Sequence, residues 1–510
     1  MPLRCRAAAG LLLFGLFLTP QGAGAQELLE QFEDRVTEFT LQNGLHFIVV
    51  ERHEAPVATF YTYADVGSVD EVTGITGLAH MFEHMAFKGT TTIGTTDREM
   101  EVVAMAKVDS VYALLKAEQN RGRDADEVRR TELEEAFEAA RQEAQQFATA
   151  EFEEALERHG GTGLNASTSR DRTDYFVSLP VNQTELWFSL ESERFRDPVM
   201  REFYIERNVV QEERRLSTES SPFGRLLEEF WAASYKAHPY GGPTIGHMSD
   251  LQSFTREEAE AFFRTYYNAA NLTVAIVGDV DPDEIAGLAE TYFGRLPSAS
   301  KPDPVETIEP PQQSERRVVI EEPSQPVVIM GWHKGSVNHP DHAIFDVLAD
   351  ILGSGRTSRL YRETVEDPQI ALQAEALNGF PGMNKYPHQF LIDAVINQGR
   401  TPEEFEEAVY DILEEIQENG VTNEELERAK MQSRASLVRQ LRSNDGLARL
   451  FTYHEVVTGD WSDIFTYLDE IDRVSVEDIR RVVGETFSKS NRTVAMIRTT
   501  PEESALSDAE

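Results

Sequence analysis

The sequence predicts an α+β fold built from two related domains. Short strand patterns are followed by runs of amphipathic helices, an order typical of helices packed on a mostly antiparallel sheet. The segment YNAANLTVAIV at 267–277 returns 220 residues later as FSKSNRTVAMI at 487–497, with Asn, Thr, Val and Ala in register. Such a repeat indicates that one structural unit has been duplicated. A chain of 510 residues is also too long for a single hydrophobic core, so two or more domains are expected.

Strands open the first half, and helices follow. Residues 39–41 and 45–51 flank Asn43-Gly44, a strong β-hairpin signal, and 57–65 is predicted as a further strand. The amphipathic pattern then predicts helices at about 78–87, 183–195, 200–219, 255–267 and 282–294. Residues 298–315 are rich in Pro, Ser, Gln and charge, which favours an extended linker. We therefore predict a first domain at 26–297 and a second domain at 316–510.

The N-terminus has the pattern of an export signal. Arg4 and Arg6 precede an apolar core at 7–18, and Ala23-Gly24-Ala25 supplies small residues for cleavage after Ala25. Residues 1–25 are therefore predicted to be a signal peptide, with a retained N-terminal anchor as the alternative. No later stretch approaches twenty apolar residues, so no stable membrane insertion is expected after its removal. We predict a periplasmic or secreted protein.

The composition limits both partners and ligands. A net charge of −41 excludes a general nucleic-acid binder, which needs a basic footprint, and disfavours docking on anionic lipid. The acidity is expected to be a solvated surface, with adaptation to salt or a preference for basic peptides as alternatives. The single cysteine, Cys5, lies in the predicted signal peptide. Any metal site must therefore use histidine and carboxylate ligands.

The run His80-Met81-Phe82-Glu83-His84 carries the clearest chemistry. Two histidines four apart on a helix project from one face, where two imidazoles can bind one zinc ion. Glu83 lies on the same face, within reach of a metal-bound water, in the reverse order of the zincin motif. The alternative is a surface helix with two unrelated histidines. The apolar neighbours argue against it, because buried imidazoles need partners. Thr76 is a candidate cap for this helix.

Residues 77–90 (GLAHMFEHMAFKGT) resemble the signature of the inverzincin metallopeptidases, the family of pitrilysin, insulin-degrading enzyme and mitochondrial processing peptidase. Further segments that resemble the family lie at 160–176, 206–213, 238–241 and 271–279. The resemblance implies the same α+β architecture twice per chain, together forming half of a clamshell. Full-length members carry four such domains. It therefore implies a homodimer, or a heterodimer with a related subunit that lacks the motif.

The resemblance also implies the roles of individual residues. His80, His84 and Glu213 would bind one Zn²⁺ per chain, and Glu83 would act as general base on the bound water. Glu206, seven residues before Glu213 and on the same helix face, would hold a histidine or the ligand in place; the alternative is a solvated glutamate. The strand at Asn165 and Ala166 would bind extended peptide substrates through backbone hydrogen bonds, with an ordinary loop-to-strand entry as the alternative.

One departure from the family pattern is an insertion at about 99–159 in the first domain. Two apolar stripes flank a turn at 120–124 and predict a helical hairpin. Because pairing already covers both stripes, we expect the hairpin to protrude and to pack only on itself. A docking arm for a partner and a lid over the substrate are the alternatives.

These observations predict a zinc-dependent endopeptidase that cleaves short or unfolded peptides inside a chamber. The main alternative is a non-catalytic peptide-binding or assembly subunit of a related complex. A zinc hydrolase of another fold is disfavoured by the duplicated halves.

Overall fold

The computed structural model describes residues 25–379 and 384–500. The predicted signal peptide lies outside the described residues, except for Ala25, where the first helix begins. No helix in these two ranges is both long and apolar enough to span a bilayer.

Six strands of the first half form one sheet. Its spatial order is β1-β2-β6-β3-β5-β4, and every neighbouring pair is antiparallel except β2 and β6. The strands are β1 (Val36–Thr40), β2 (His46–Glu51), β3 (Val57–Ala64), β4 (Thr162–Thr168), β5 (Thr173–Pro180) and β6 (Leu272–Gly278). The predicted hairpin at Asn43-Gly44 and the strand that follows it are confirmed as β1, β2 and β3.

The helices predicted for the first half are present, and the structure adds helices at 25–33, 151–158, 222–234 and 248–253. Together, these helices are α1 (Ala25–Glu33), α2 (Leu78–Met85), α3 (Arg98–Gln119), α4 (Glu127–Gln145), α5 (Glu151–Arg158), α6 (Thr184–Arg196), α7 (Phe203–Arg214), α8 (Pro222–Ser234), α9 (Met248–Ser253), α10 (Arg256–Tyr266) and α11 (Pro282–Tyr292). Apolar residues of α2, α6, α7 and α10 form one buried core with alternate residues of the sheet, such as Phe47, Val49 and Phe60.

The second half repeats the sheet with the same connectivity. Its order is β7-β11-β8-β10-β9, which matches β2-β6-β3-β5-β4 strand for strand, including the parallel pair. The elements are β7 (Arg316–Glu322), β8 (Val327–Lys334), α12 (His342–Gly353), β9 (Ala371–Leu377), β10 (His388–Ile396), α13 (Pro402–Asn419), α14 (Asn423–Gln440), α15 (Asn444–Val457), α16 (Asp463–Arg473), α17 (Val476–Thr486) and β11 (Arg492–Thr499). The predicted α+β fold with a duplicated unit is confirmed.

Equivalent hydrogen bonds also occur at the same position in the two halves. Asn271, just before β6, donates through Nδ2 to the carbonyls of Asp65 and Tyr266 at 3.0 and 2.8 Å. Asn491, just before β11, donates to the carbonyls of His333 and Thr486, both at 2.9 Å. Each asparagine thus joins the end of a helix to a neighbouring strand, which explains why it recurs at this register position.

Each half also covers a sheet face of the other. Helix α15 of the second half packs Leu447, Phe451 and neighbouring residues on Ile48, Val50 and further side chains on one face of the first sheet. Helix α8 of the first half packs Phe230 and Trp231 on Ile329 and other side chains of the second sheet. Residues 297–315 form no helix or strand, but Glu309 in this segment accepts backbone N–H bonds from residues 236–238 of the first half.

The hairpin of α3 and α4 packs on itself, as expected, but it also packs on its own domain. The Asp109 carboxylate pairs with Arg256 and accepts from Tyr204, and Tyr112 donates to the carbonyl of Gln252 at 3.0 Å. Arg207 donates to the Tyr112 hydroxyl. The expectation of a pair that packs only on itself is therefore wrong. The apolar stripes of the two helices, with Val108, Tyr112 and Phe137, are buried in the same core as α2, and Asp109 adds a polar contact beside them.

Candidate metal centre

The start of α2 is held by a carboxylate from the preceding loop. Glu71 accepts the backbone N–H groups of Gly77 and Ala79, both at 2.7 Å, at the helix end where such groups lack partners. Gly77 has φ +94°, and a Cβ there would lie 2.6 Å from the Ile245 carbonyl, so the position requires glycine. The predicted cap Thr76 instead donates to Asp250 at 2.7 Å.

His80 and His84 lie one turn apart on α2, and both imidazoles face Glu213 on α7. His80 Nε2 is 3.7 Å from Glu213 Oε1, and His84 Nε2 is 3.5 Å from Glu213 Oε2. One ligand atom from each of the three residues lies within 4.8 Å of the other two. Ligand atoms around a tetrahedral zinc ion at ordinary bond lengths are about 3.4 Å apart, so this set of donors fits zinc.

A second carboxylate supports the histidine pair from behind. His84 Nδ1 donates to Glu206 Oε2 at 3.4 Å, which leaves Nε2 facing Glu213. Glu206 also receives the Lys88 ammonium at 2.6 Å. The Nδ1 atom of His80 is buried and has no hydrogen-bond partner among the residues that the structure describes. With a metal on Nε2, this Nδ1 atom would be the protonated nitrogen of the neutral His80 ring.

The charges at the site favour binding of a cation. Burial lowers the pKa of His80 to about 4, so this imidazole is in the neutral form that metals bind. Burial also lowers the pKa of His84, but hydrogen bonds to Glu206 and Glu213 and their charges outweigh it and raise the value to about 9. The hydrogen bond from His84 holds the pKa of Glu213 below its ordinary value. A metal ion would therefore take the place of a proton on His84.

Glu83 lies between the histidines in sequence and is held by β4. Its Oε2 accepts a hydrogen bond from Thr168 Oγ1 at 2.5 Å. Burial raises the pKa of Glu83, and the Thr168 hydrogen bond and the nearby His84 charge offset this only in part. A raised pKa is what a general base needs in order to work near neutral pH.

Asn165 and Ala166 lie on β4, the edge strand of the first sheet next to α2. They pair with Phe176 and Tyr175 of β5. The Ala166 N–H donates to Asn165 Oδ1 at 2.9 Å. Asn165 is exposed and Ala166 is buried. The structure therefore brings all seven predicted site residues to one region, made by α2, α7 and β4.

Three residues of this region were missed by sequence reasoning: Glu71, Lys88 and Thr168. Lys88 lies four residues after His84, and a basic residue on the face of a ligand histidine was the available signal for it. Glu71 and Thr168 reach α2 from a loop and from a distant strand, and no spacing along the chain indicates either contact.

A duplicated α+β fold with two histidines four apart on a buried helix, a facing carboxylate and a glutamate before the second histidine defines the inverted-zincin class. Two family profiles match this chain: "Insulinase (Peptidase family M16)" at 47–111 and 139–247, and "Peptidase M16 inactive domain" at 253–433. Together they cover well over half of the sequence. The chain belongs to the M16 peptidase family, which confirms the resemblance to the pitrilysin-like enzymes. The first profile is interrupted between residues 111 and 139, inside the helical hairpin.

Known proteins similar to this chain include several bacterial ones. The Helicobacter pylori protein named "Zinc protease PqqE" is 27% identical over 484 residues, covering 93% of this chain and 95% of its own. An uncharacterized zinc protease of Bacillus subtilis, YmxG, is 22% identical and covers 89% and 96%. The crystal structure of a protease from Helicobacter pylori superimposes with a TM-score of 0.76 at 26% identity, over 91% of this chain and 99% of that one. The periplasmic protease PqqL of Escherichia coli shares the fold, with a TM-score of 0.67 at 16% identity, over 92% of this chain and 48% of that one.

Proposed function

We propose that this protein is a zinc-dependent endopeptidase that cleaves short or unfolded peptides. One observation carries the proposal: the donor atoms of His80, His84 and Glu213 lie within 4.8 Å of one another, beside the carboxylate of Glu83. The names of the similar bacterial proteins, which include the words zinc protease, support the choice of metal and reaction.

Each residue has a distinct task in this proposal. When bound by His80, His84 and Glu213, zinc would lower the pKa of a bound water and polarise the scissile carbonyl. Glu83 takes the proton of the attacking water and passes it to the departing amine. Thr168 keeps the Glu83 carboxylate in position through its hydrogen bond, and Glu206 keeps His84 in the tautomer that presents Nε2.

The substrate is proposed to bind along β4 as an added strand. Because β4 is an edge strand beside α2, an extended peptide paired with it would run past Glu83. Ala166 N–H, which bonds to the side chain of Asn165, is a backbone donor that a peptide carbonyl could use in its place. Recognition through the backbone predicts broad specificity for unstructured peptides.

The assembly and location follow from the same proposal. We propose that two chains, or this chain and a related subunit without the motif, close the chamber, and that the protein acts in the periplasm or after secretion. The predicted signal peptide and the periplasmic relative in Escherichia coli support this location. Light scattering on a sizing column measures the mass of the particle in solution. For the homodimeric form we expect twice the mass of one chain.

The proposal predicts that Glu83→Gln abolishes turnover and leaves zinc bound. The amide cannot accept the proton, so kcat/KM on an unstructured quenched peptide should fall by about 10²–10⁴-fold. Zinc content measured by mass spectrometry should stay at that of the unmodified protein. Glu212→Gln, an exposed neighbour of the ligand, is the matched control and should change neither quantity.

Two results would contradict this assignment. Loss of zinc in Glu83→Gln would make Glu83 a ligand instead of a base. Full zinc content with no cleavage by the unmodified protein, alone or with candidate partner subunits, would favour a peptide-binding subunit.

A further inference from the structure

A second cluster with the composition of a metal site lies on the opposite face of the first sheet. Glu38 of β1, His46 of β2 and Glu455 of α15 each place one ligand atom within 4.8 Å of the others. His46 shares its sheet face with Ile48 and Val50, which pack against α15, whereas Phe47 and Val49 point toward the core that contains α2. This cluster is therefore separated from the candidate catalytic centre by the sheet itself.

Its dimensions match those of the histidine pair and Glu213. His46 Nε2 is 3.6 Å from Glu38 Oε1 and 3.5 Å from Glu455 Oε1, against 3.7 and 3.5 Å in the first site. The exposed fractions of its side chains are between 20% and 39%, against 12% to 45% in the first site. Within one structure, the two sites thus have similar distances between histidine and carboxylate atoms, and their side chains are partly exposed to a similar degree.

The ligand atoms of this cluster are oriented by contacts on their far sides. Thr40 Oγ1 lies 3.0 Å from His46 Nδ1, so a proton on Nδ1 leaves the Nε2 lone pair for a metal. The backbone N–H of Trp461 donates to Glu455 Oε2 at 3.1 Å, and Glu455 Oε1 faces His46. Such supporting hydrogen bonds are typical of metal ligands, because they fix the tautomer of the imidazole and the rotation of the carboxylate.

An ion pair without metal explains the geometry less well. A protonated His46 would donate Nε2–H to a carboxylate at about 2.7–3.2 Å. Instead Nε2 is buried, sits at 3.5–3.6 Å from both carboxylates, and forms no hydrogen bond within the described part of the chain. Distances near 3.5 Å are those between ligands that share one ion, as for the tetrahedral case above.

We propose that Glu38, His46 and Glu455 form a second, structural site for a divalent metal of the zinc class. One imidazole and two carboxylates suit Zn²⁺ or Mn²⁺, and the two glutamate charges need a cation. The metal would join β1 and β2 of the first half to α15 of the second half. Binding would thereby stabilise the arrangement in which α15 covers the first sheet.

The test is the number of zinc ions per chain at micromolar free Zn²⁺, measured on the full-length mature protein by mass spectrometry after dialysis. We expect about two for the unmodified protein, about one for His80→Ala/His84→Ala, and near zero when His46→Ala is added to that pair. His53→Ala is the matched control, since His53 also faces two carboxylates, Asp279 and Glu51, but belongs to neither cluster. It should leave the count unchanged.

Thermal unfolding provides a second measurement. In the His80→Ala/His84→Ala protein, added ZnCl₂ should raise Tm by a few degrees, and His46→Asn or Glu455→Gln should remove the effect. These milder variants serve if His46→Ala does not fold. The proposal is overturned if the unmodified protein binds one zinc, or if the count and the zinc-dependent Tm are the same with and without His46.

Discussion

At the scale of single residues, the candidate site depends on pairs in which one member orients the other. Glu206 holds His84, Thr168 holds Glu83, and Glu71 holds the first turn of α2. Two of these three supports come from other elements that are distant in sequence. The histidines and Glu83 could be predicted because helical spacing alone puts them on one face. Thr76 was a wrong choice of cap because Glu71, six residues before Gly77, reaches the same N–H groups.

Replacing Glu206 by alanine should weaken zinc binding. Without the carboxylate, His84 loses the partner that fixes its tautomer, and losses of such partners typically cost about 10–100-fold in metal affinity. Competition with a chelator of known affinity measures the change. Glu212→Ala, on the same helix but exposed, should keep the affinity of the unmodified protein. Equal affinities in the two variants would mean that Glu206 is only a solvated helix glutamate.

At the scale of elements, the helices predicted for the first half lie close to the observed ones, because amphipathic periodicity is a local signal, whereas α8 was not predicted. The docking of the hairpin on its own domain could not be predicted from the sequence. Tyr204 and Arg207, which contact α3, lie on the same helix as Glu206 and Glu213. The inserted hairpin therefore braces the helix that carries the third ligand, a role that neither a protruding arm nor a lid would have.

The start of α14 shows how a local cap becomes a tertiary contact. Thr422 and Glu425 form a capping box, and Glu425 also receives the Arg359 guanidinium at 3.0 and 3.1 Å. Burial raises the pKa of Glu425, but these hydrogen bonds outweigh it and lower the value from 4.5 to about 2. Because the folded state holds the ionised form more strongly, the carboxylate stabilises the fold above about pH 4.5. That contribution is lost as the pH falls toward 2.

Glu425→Gln is therefore expected to lower the free energy of unfolding at pH 7 by about 3 kcal/mol, the equivalent of the fall in pKa from 4.5 to about 2. Urea unfolding at pH 7 and at pH 3 measures the free energy of unfolding of both proteins. The difference between the variant and the unmodified protein should be smaller at pH 3. Glu424→Gln, exposed on the same turn, should have little effect at either pH. A pH-independent difference would mean that packing, not charge, is lost.

At the scale of the whole molecule, the two halves depend on each other. The face of the first sheet with Ile48, Val50, Tyr61 and Tyr63 is buried by α15 of the second half, and α8 of the first half covers the second sheet. Lys385 adds an ion pair to Asp65 across the halves, at 2.8 and 2.9 Å. Because each half supplies a helix that covers the sheet of the other, we expect the two domains to unfold as one cooperative unit.

A fragment of residues 26–297 should accordingly not fold stably by itself. Without α15, a broad apolar sheet face would be exposed, which promotes aggregation. We expect the fragment to be insoluble when expressed alone and to become soluble when residues 298–510 are expressed with it. A stable, monomeric fragment would contradict this dependence.

Phe451→Ala in the full chain should lower the free energy of unfolding by about 3–5 kcal/mol, since this side chain is fully buried between the halves.

The sequence by itself determined the fold class, the duplication and the histidine pair with its glutamate, because these follow from periodicity and spacing along one chain. With the family resemblance it also indicated Glu213 and Glu206, which lie far along the chain from the histidines. Only the tertiary structure decided which groups hold these residues, how the hairpin docks and which helix covers which sheet. The physical reason is that such contacts join segments distant in sequence, and their geometry depends on how the elements pack in three dimensions.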